Sequence, residues 1–176
     1  AAQAMEPDQV IALALADQAL SDSGDLLNSV PHDRVGVVIG KGGYVAPAGI
    51  RHTNHLRGAR QLEASLRAIM PDMPQENLEA LMRSFRDSNP VGDGSDAIGL
   101  VSNLAAARIA GHFDLRGGNW TTDAACASSL IALDTAMSQL ALGTVDAMIV
   151  GGVHHCHDVA FWNVFCRMGA MSRSGR

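Results

Sequence analysis

The stretch Thr121-Thr122-Asp123-Ala124-Ala125-Cys126-Ala127-Ser128-Ser129-Leu130 joins a short extended run to a long apolar-periodic one through small residues only. This pattern predicts a strand, a sharp turn carrying Cys126, and a helix that begins beside the sulfur. At a helix start the first backbone N–H groups lack intrahelical partners and the positive end of the macrodipole lies nearby, so a thiol placed there is favoured as thiolate, the attacking form. Ala124, Ala125, Ala127 and Ser128 leave a carbonyl room to approach. Cys126 is therefore the candidate nucleophile. A lone cysteine among alanines also fits a small buried hydrophobe, so its neighbours must carry the distinction. The pattern Gly-x-Ser-x-Gly of a serine nucleophile elbow is absent, which disfavours a hydrolase of that kind.

Two other clusters invite chemistry and are weaker. Gly40-Lys41-Gly42-Gly43 follows a strand and suggests phosphate binding, but Gly43 and Tyr44 stand where a P-loop wants Ser or Thr and a helix. A plain glycine turn that lets a loop pass close to other backbone is the better reading. In His154-His155-Cys156-His157 neighbouring side chains point to opposite faces, so only His155 and His157 converge and no metal site is expected. His112 lies near a helix end, where a cation is comfortable, and His52 and His55 fall in an expected loop.

The elements that must position Cys126 follow from periodicity. Pro7 opens a helix whose stripe is Val10, Ile11, Ala14, Leu15, Ala19 and Leu20 and which stops at Gly24. Arg34-Val35-Gly36-Val37-Val38-Ile39 reads as a strand buried on both faces. Apolar residues at helical spacing predict a helix over 56–70 that ends before Pro71. They predict another over 74–86, with Leu78, Leu81, Met82 and Phe85 on one face. Ser95 or Asp96 caps a helix running through Ile98, Val101, Leu104, Ala105 and Ile109 to Gly111, whose alanines suggest close packing. A strand at 119–123 leads to Cys126, and the helix after it is expected to bury Leu130, Leu133, Met137 and Leu140 before Gly143. Asp146 to Val153 reads as a further buried strand, so the span from Trp120 to Val150 forms a βαβ unit. This alternation predicts an α/β fold with a largely parallel sheet, and Cys126 sits at the carboxyl end of a strand, where open α/β sheets place their chemistry.

Composition bounds the function. The chain has 176 residues, 47% of them hydrophobic, and a net charge of −5, with no cluster of Lys and Arg for nucleic acid or an anionic membrane. No apolar run reaches the roughly 20 residues that cross a bilayer. Three cysteines without CxxC spacing fit reduced thiols and a cytoplasmic location.

The segment Asp123-Ala124-Ala125-Cys126-Ala127-Ser128-Ser129-Leu130 resembles the active-site signature of the β-ketoacyl synthases, Asp-Thr-Ala-Cys-Ser-Ser-Ser-Leu, departing from it at Ala124 and Ala127. The resemblance extends to Ala107–Gly117, to Asp146–Val153 with its Gly-Gly-Val, to Met168-Gly169-Ala170-Met171-Ser172, and to the first helix and the strand ending Val38-Ile39-Gly40. It implies a thiolase-like, layered αβα fold with a mostly parallel mixed sheet. Residues 1–176 would be the N-terminal part of a ketosynthase domain, with a helical insert at about 50–90 and without the first strand and the C-terminal half.

The chemistry implied is acyl transfer to Cys126 from an acyl carrier protein or CoA thioester, with the Cys126 backbone N–H as one donor to the oxyanion. Decarboxylative condensation with a malonyl thioester follows, in a polyketide or polyunsaturated fatty-acid pathway. The family's two further histidines belong to a later half, and no histidine here fills their roles by motif, so this chain alone is expected not to complete condensation. The resemblance further implies a homodimer through the strand at 119–123, and no cofactor beyond phosphopantetheine-borne substrates. Two alternatives stand beside it: a non-catalytic scaffold or binding module with a buried Cys126, and a thiolase-type thioester enzyme. The Ser128-Ser129-Leu130 continuation argues against the second of these.

Overall fold

The run Val35-Gly36-Val37-Val38-Ile39-Gly40 has no polar side chain, and it can be stable only where both faces and both edges of a strand are covered. The computed structural model describes residues 5–43, 46–91, 100–155 and 158–175, and it places this run at the centre. Strand β1 (Val35–Gly40) is buried along its whole length. It pairs in parallel with β2 (Asn119–Thr122) on one edge and with β3 (Ala147–Gly152) on the other, in the order β2-β1-β3.

The chain divides into two units, Ala1–Tyr44 with Val101–Arg176, and Val45–Leu100. In the first, helices cover both faces of the sheet. Helices α1 (Pro7–Asp22) and α6 (Leu104–His112) pack on the face that carries Val35, Val37 and Ile39. Helix α7 (Ser128–Ala141) packs on the face that carries Val38, against Trp120, Met148 and Val150. A one-turn helix α2 (Leu26–Ser29) precedes β1, and α8 (Val159–Arg167) follows β3. The second unit is a helical hairpin. Helix α3 (Pro47–Thr53) runs through a π-helical turn (Asn54–Gly58) into α4 (Ala59–Ile69), and α5 (Gln75–Ser88) returns to bury Leu78 and Met82 with Ala59. Asn89 closes it, receiving Asn54 Nδ2 at 3.2 Å on its side chain and His55 Nδ1 at 3.0 Å on its carbonyl.

Several sequence expectations are corrected, most of them for one reason: helices lie close on a sheet through small residues. In α1 the buried apolar side chains are Ala12, Ala16 and Leu20, while Val10, Ile11 and Leu15 are exposed. In α7 Ala132 and Ala136 face the sheet, and Leu130, Leu133, Met137 and Leu140 face away, with Leu130 69% exposed. Both helices carry apolar residues on more than one side, so periodicity does not reveal which side is inward. Strands β2 and β3 are not neighbours, because β1 lies between them; the crossover through α7 spans β1, and β3 is only half-buried. Among the described residues every strand pairing is parallel, in keeping with the largely parallel sheet expected. The alanine-rich helix α6 starts at Leu104, after Val101, and the expected caps Ser95 and Asp96 lie outside the described residues. His52 and His55 are helical rather than in a loop, since the helix expected from residue 56 begins at Pro47. Leu81 is exposed, off the buried face of α5. Among the described residues no helix is long and apolar enough to cross a membrane.

Arg34 fastens the end of the α7–β3 connection to the start of β1. Its guanidinium donates to both carboxylate oxygens of Asp146, at 2.9 and 2.6 Å, and to the carbonyls of Gly143 and Thr144. This hydrogen bonding holds the Asp146 carboxyl below the usual carboxylate range, and Arg116 does the same to Asp114. A depressed folded-state pKa contributes stability that is fully present above the ordinary carboxylate range and is lost as pH falls through the folded value. The urea midpoint of unfolding is therefore expected to be level down to about pH 5 and to drop below about pH 4, and Asp146→Asn should shallow that drop.

Glycine substitutions test the packing. A Cβ on Gly40 would lie 2.5 Å from backbone atoms of Ser128, whereas one on Gly111 in α6 meets nothing within 4 Å. Gly40→Ala is expected to destabilise by about 1–3 kcal/mol, and Gly111→Ala to stabilise by about 0.5–1 kcal/mol, read from the same denaturation curves.

Candidate active site

The chain leaves β2 at Thr122 and must reverse into α7 within a few residues. It does so through a single 3₁₀ turn, Ala125–Ala127, in which Ala125 adopts φ +50°. A left-handed alanine is unfavourable by about 1 kcal/mol or more, so the surrounding bonds must hold it. The buried Ser128 hydroxyl donates to the Ala125 carbonyl at 2.7 Å and accepts from the Ala124 N–H at 2.9 Å. The Asp123 carboxylate accepts from the Ala125 N–H at 2.9 Å and, through its other oxygen, from the Gly43 N–H at 2.8 Å. These two backbone hydrogen bonds, Ala125 first, keep the Asp123 carboxyl below the usual carboxylate range against partial desolvation. Cys126 sits in the middle of this braced turn with its side chain exposed.

A cavity of about 380 Å³ opens in front of the sulfur. Because the strands are parallel and in register at Gly40, Thr122 and Gly152, their carboxyl ends lie level, and the glycine loop, the cysteine turn and the β3–α8 connection emerge together. Gly40 and Gly152 lie so close to Ser128 and Ser129 that any side chain there would push the start of α7 away. Phe161 and Phe165 line the cavity from α8, with ring centroids 4.5 Å apart. Asp158 caps that helix by accepting from the Ala160 N–H at 2.7 Å. His154 lines the same cavity, its ring 5.4 Å from Phe161.

The sequence-predicted residues fare differently. Cys126 is where the strand-turn-helix pattern places it. Lys41, the cation of the phosphate-binding reading, is instead turned away into a largely buried ion pair, its Nζ 2.5 Å from the Asp8 carboxylate. His154 was legible only as part of a metal motif; Cys156 and His157 of that motif lie outside the described residues. Cys166 is exposed on α8. Sequence reasoning gave no role to Phe161 or Phe165, treated Asp123 only as a letter of the motif, and valued Ser128 only for its small size. Asp123 had a usable signal, since an Asp accepting from the N–H two residues on is a common turn device.

Comparison with known proteins points to a family. The family described as "Beta-ketoacyl synthase, N-terminal domain" matches residues 1–176. The chain is 26% identical over 174 residues, 95% of its length, to one of the subunits of the polyunsaturated fatty acid synthase from Thraustochytrium sp.. It is 29% identical over 174 residues, 99% of its length, to mellein synthase of Phaeosphaeria nodorum. Its identity to polyketide synthase ThaG of Burkholderia thailandensis is 30% over 175 residues, again 99% of its length. It spans only 6%, 8% and 2% of these relatives' own lengths. The open parallel sheet with helices on both faces is in keeping with a thiolase-like α/β fold. With a match over every residue, this chain belongs to the β-ketoacyl synthase N-terminal domain family.

Proposed function

We propose that Cys126 is the acyl acceptor of a ketosynthase that extends a polyketide or fatty-acid chain, and that it draws its acyl group from a carrier-protein thioester. One observation carries the reading: an exposed cysteine on a braced strand-to-helix turn faces a glycine-floored, aromatic-walled cavity at the carboxyl ends of three parallel strands. Exposure of the sulfur supports this over a buried structural cysteine.

The chemistry is that of the family, and the residues described here would serve its acyl-transfer half. The Cys126 thiolate attacks the thioester carbonyl, a new C–S bond forms, and the negative charge moves onto the carbonyl oxygen. The Cys126 backbone N–H donates to that oxyanion. Collapse of the tetrahedral intermediate breaks the original C–S bond, and the carrier thiol leaves and takes up a proton. A malonyl thioester then loses CO₂, and its carbanion attacks the acyl-cysteine, forming the new carbon–carbon bond and returning the thiolate. Glycine at Gly40, Gly42 and Gly152 lets the acyl chain lie against backbone, while Phe161 and Phe165 supply an apolar wall. The named relatives support a polyketide or polyunsaturated fatty-acid setting. Among the described residues β2 is an edge strand, which supports pairing with its twin in a homodimer.

Two outcomes test this in the intact protein. Cys126→Ala should abolish covalent loading from a radiolabelled acyl thioester, and undiminished labelling sinks the assignment. Phe165→Ala should shift loading toward longer or branched acyl groups by about tenfold relative to acetyl, as competition between two labelled thioesters would read out.

A further inference from the structure

The cysteine turn is tied through a side chain to a segment far away in sequence. Asp123 Oδ1 accepts from the Ala125 N–H within the turn, and Oδ2 accepts from the Gly43 N–H at the far end of the glycine loop. The loop is held at other points as well. The Lys41 N–H donates to the Thr122 carbonyl at 2.9 Å, and the Lys41 ammonium pairs with the largely buried Asp8 at the start of α1. Gly40 is pressed against the first residues of α7. Asp123 completes this frame on the side where Cys126 and Gly42 both line the cavity.

We propose that Asp123 is a positioning residue for Cys126. By holding Ala125 in its left-handed conformation and Gly43 against the turn, its carboxylate fixes both the direction of the sulfur and the distance between the sulfur and the loop that bounds the cavity. Ser128 braces the turn from within but makes no bond to the loop among those described. Asp123 is thus the side chain through which turn and loop keep a common geometry. A carboxylate suits the position because both partners are N–H donors and neither of its oxygens carries a hydrogen. An amide held in the same place offers one acceptor oxygen instead of two and turns its own N–H₂ toward one of the two N–H groups. This inference rests on the reading of Cys126 as acyl acceptor.

The test uses the intact protein. Asp123→Asn should lower the rate constant of acyl loading on Cys126 by about ten- to a hundredfold, the scale of loss when a reacting atom is misplaced by about an ångström. Iodoacetamide alkylation of the exposed Cys166, which serves as an internal reference, should stay unchanged. Wild-type loading by a folded Asp123→Asn protein overturns the proposal, as does an equal loss of reactivity at Cys166, because that marks general loosening. Ser128→Ala should slow loading while leaving the Gly43 amide protected from hydrogen exchange, whereas Asp123→Asn should release Gly43 and Ala125 together. In the unmodified protein both amides should be protected, and fast exchange at both overturns the proposal without any variant. Should the wild-type protein take no acyl label at all, the acyl-acceptor reading fails separately. The positioning claim is then decided by iodoacetamide alkylation of Cys126 relative to Cys166, expected to fall about tenfold in Asp123→Asn; an unchanged ratio overturns it.

Discussion

Everything in the sheet unit depends on the burial of β1. A strand with no exposed face and no exposed edge must have its backbone N–H and C=O groups satisfied on both sides, and here β2 and β3 do so in parallel. Since β2 and β3 follow each other in sequence yet flank β1, the connection between them has to cross the sheet, and α7 lies over Val38 for that reason. Parallel pairing also brings Gly40, Thr122 and Gly152 to the same level, which places three loops at one end of the sheet. The cavity at Cys126 follows from that alignment.

Close approach of α7 has a second consequence. Its inward face is Ser128, Ala132 and Ala136, and at its start Gly40 and Gly152 leave no room for a Cβ. Larger residues at these points would lift the helix start and open the turn that presents the sulfur. The bulky apolar residues of α7 lie on the opposite face, with Met137 60% exposed. Small size toward the sheet is thus a requirement of the site as well as of the core. Ala105, Ala106 and Ala110 of α6 do the same for the opposite face.

The turn itself stores a local strain that its neighbours hold in place. Ala125 at φ +50° is unfavourable on its own, and three hydrogen bonds converge on its immediate backbone from Ser128 and Asp123. Sequence reasoning recognised the turn from the run of small residues but saw Asp123 only as a letter of a motif and Ser128 only as a small residue. Part of their function is non-local: Gly43 is eighty residues from Asp123, and no local pattern shows that the two meet. Lys41 is the converse case. Its glycine neighbours suggested an anion site, but its actual partner, Asp8, lies on a helix far away in sequence.

The amino-acid sequence alone determined the alternation of helix and strand, the buried character of β1, and the place of Cys126 between a strand and a helix, because these follow from local periodicity and residue size. Its motif around Cys126 also pointed to the family that the comparison over residues 1–176 shows. Only the tertiary structure decided the strand order β2-β1-β3, the inward face of α1 and α7, and the joining of Asp123, Gly43, His154 and Phe165 around one site. Strand order is a choice among pairings of similar apolar runs, and a helix with apolar residues on more than one side does not say which side it buries. Both are settled by which close packing the glycines and alanines permit, and that is a property of elements brought together, not of any one of them.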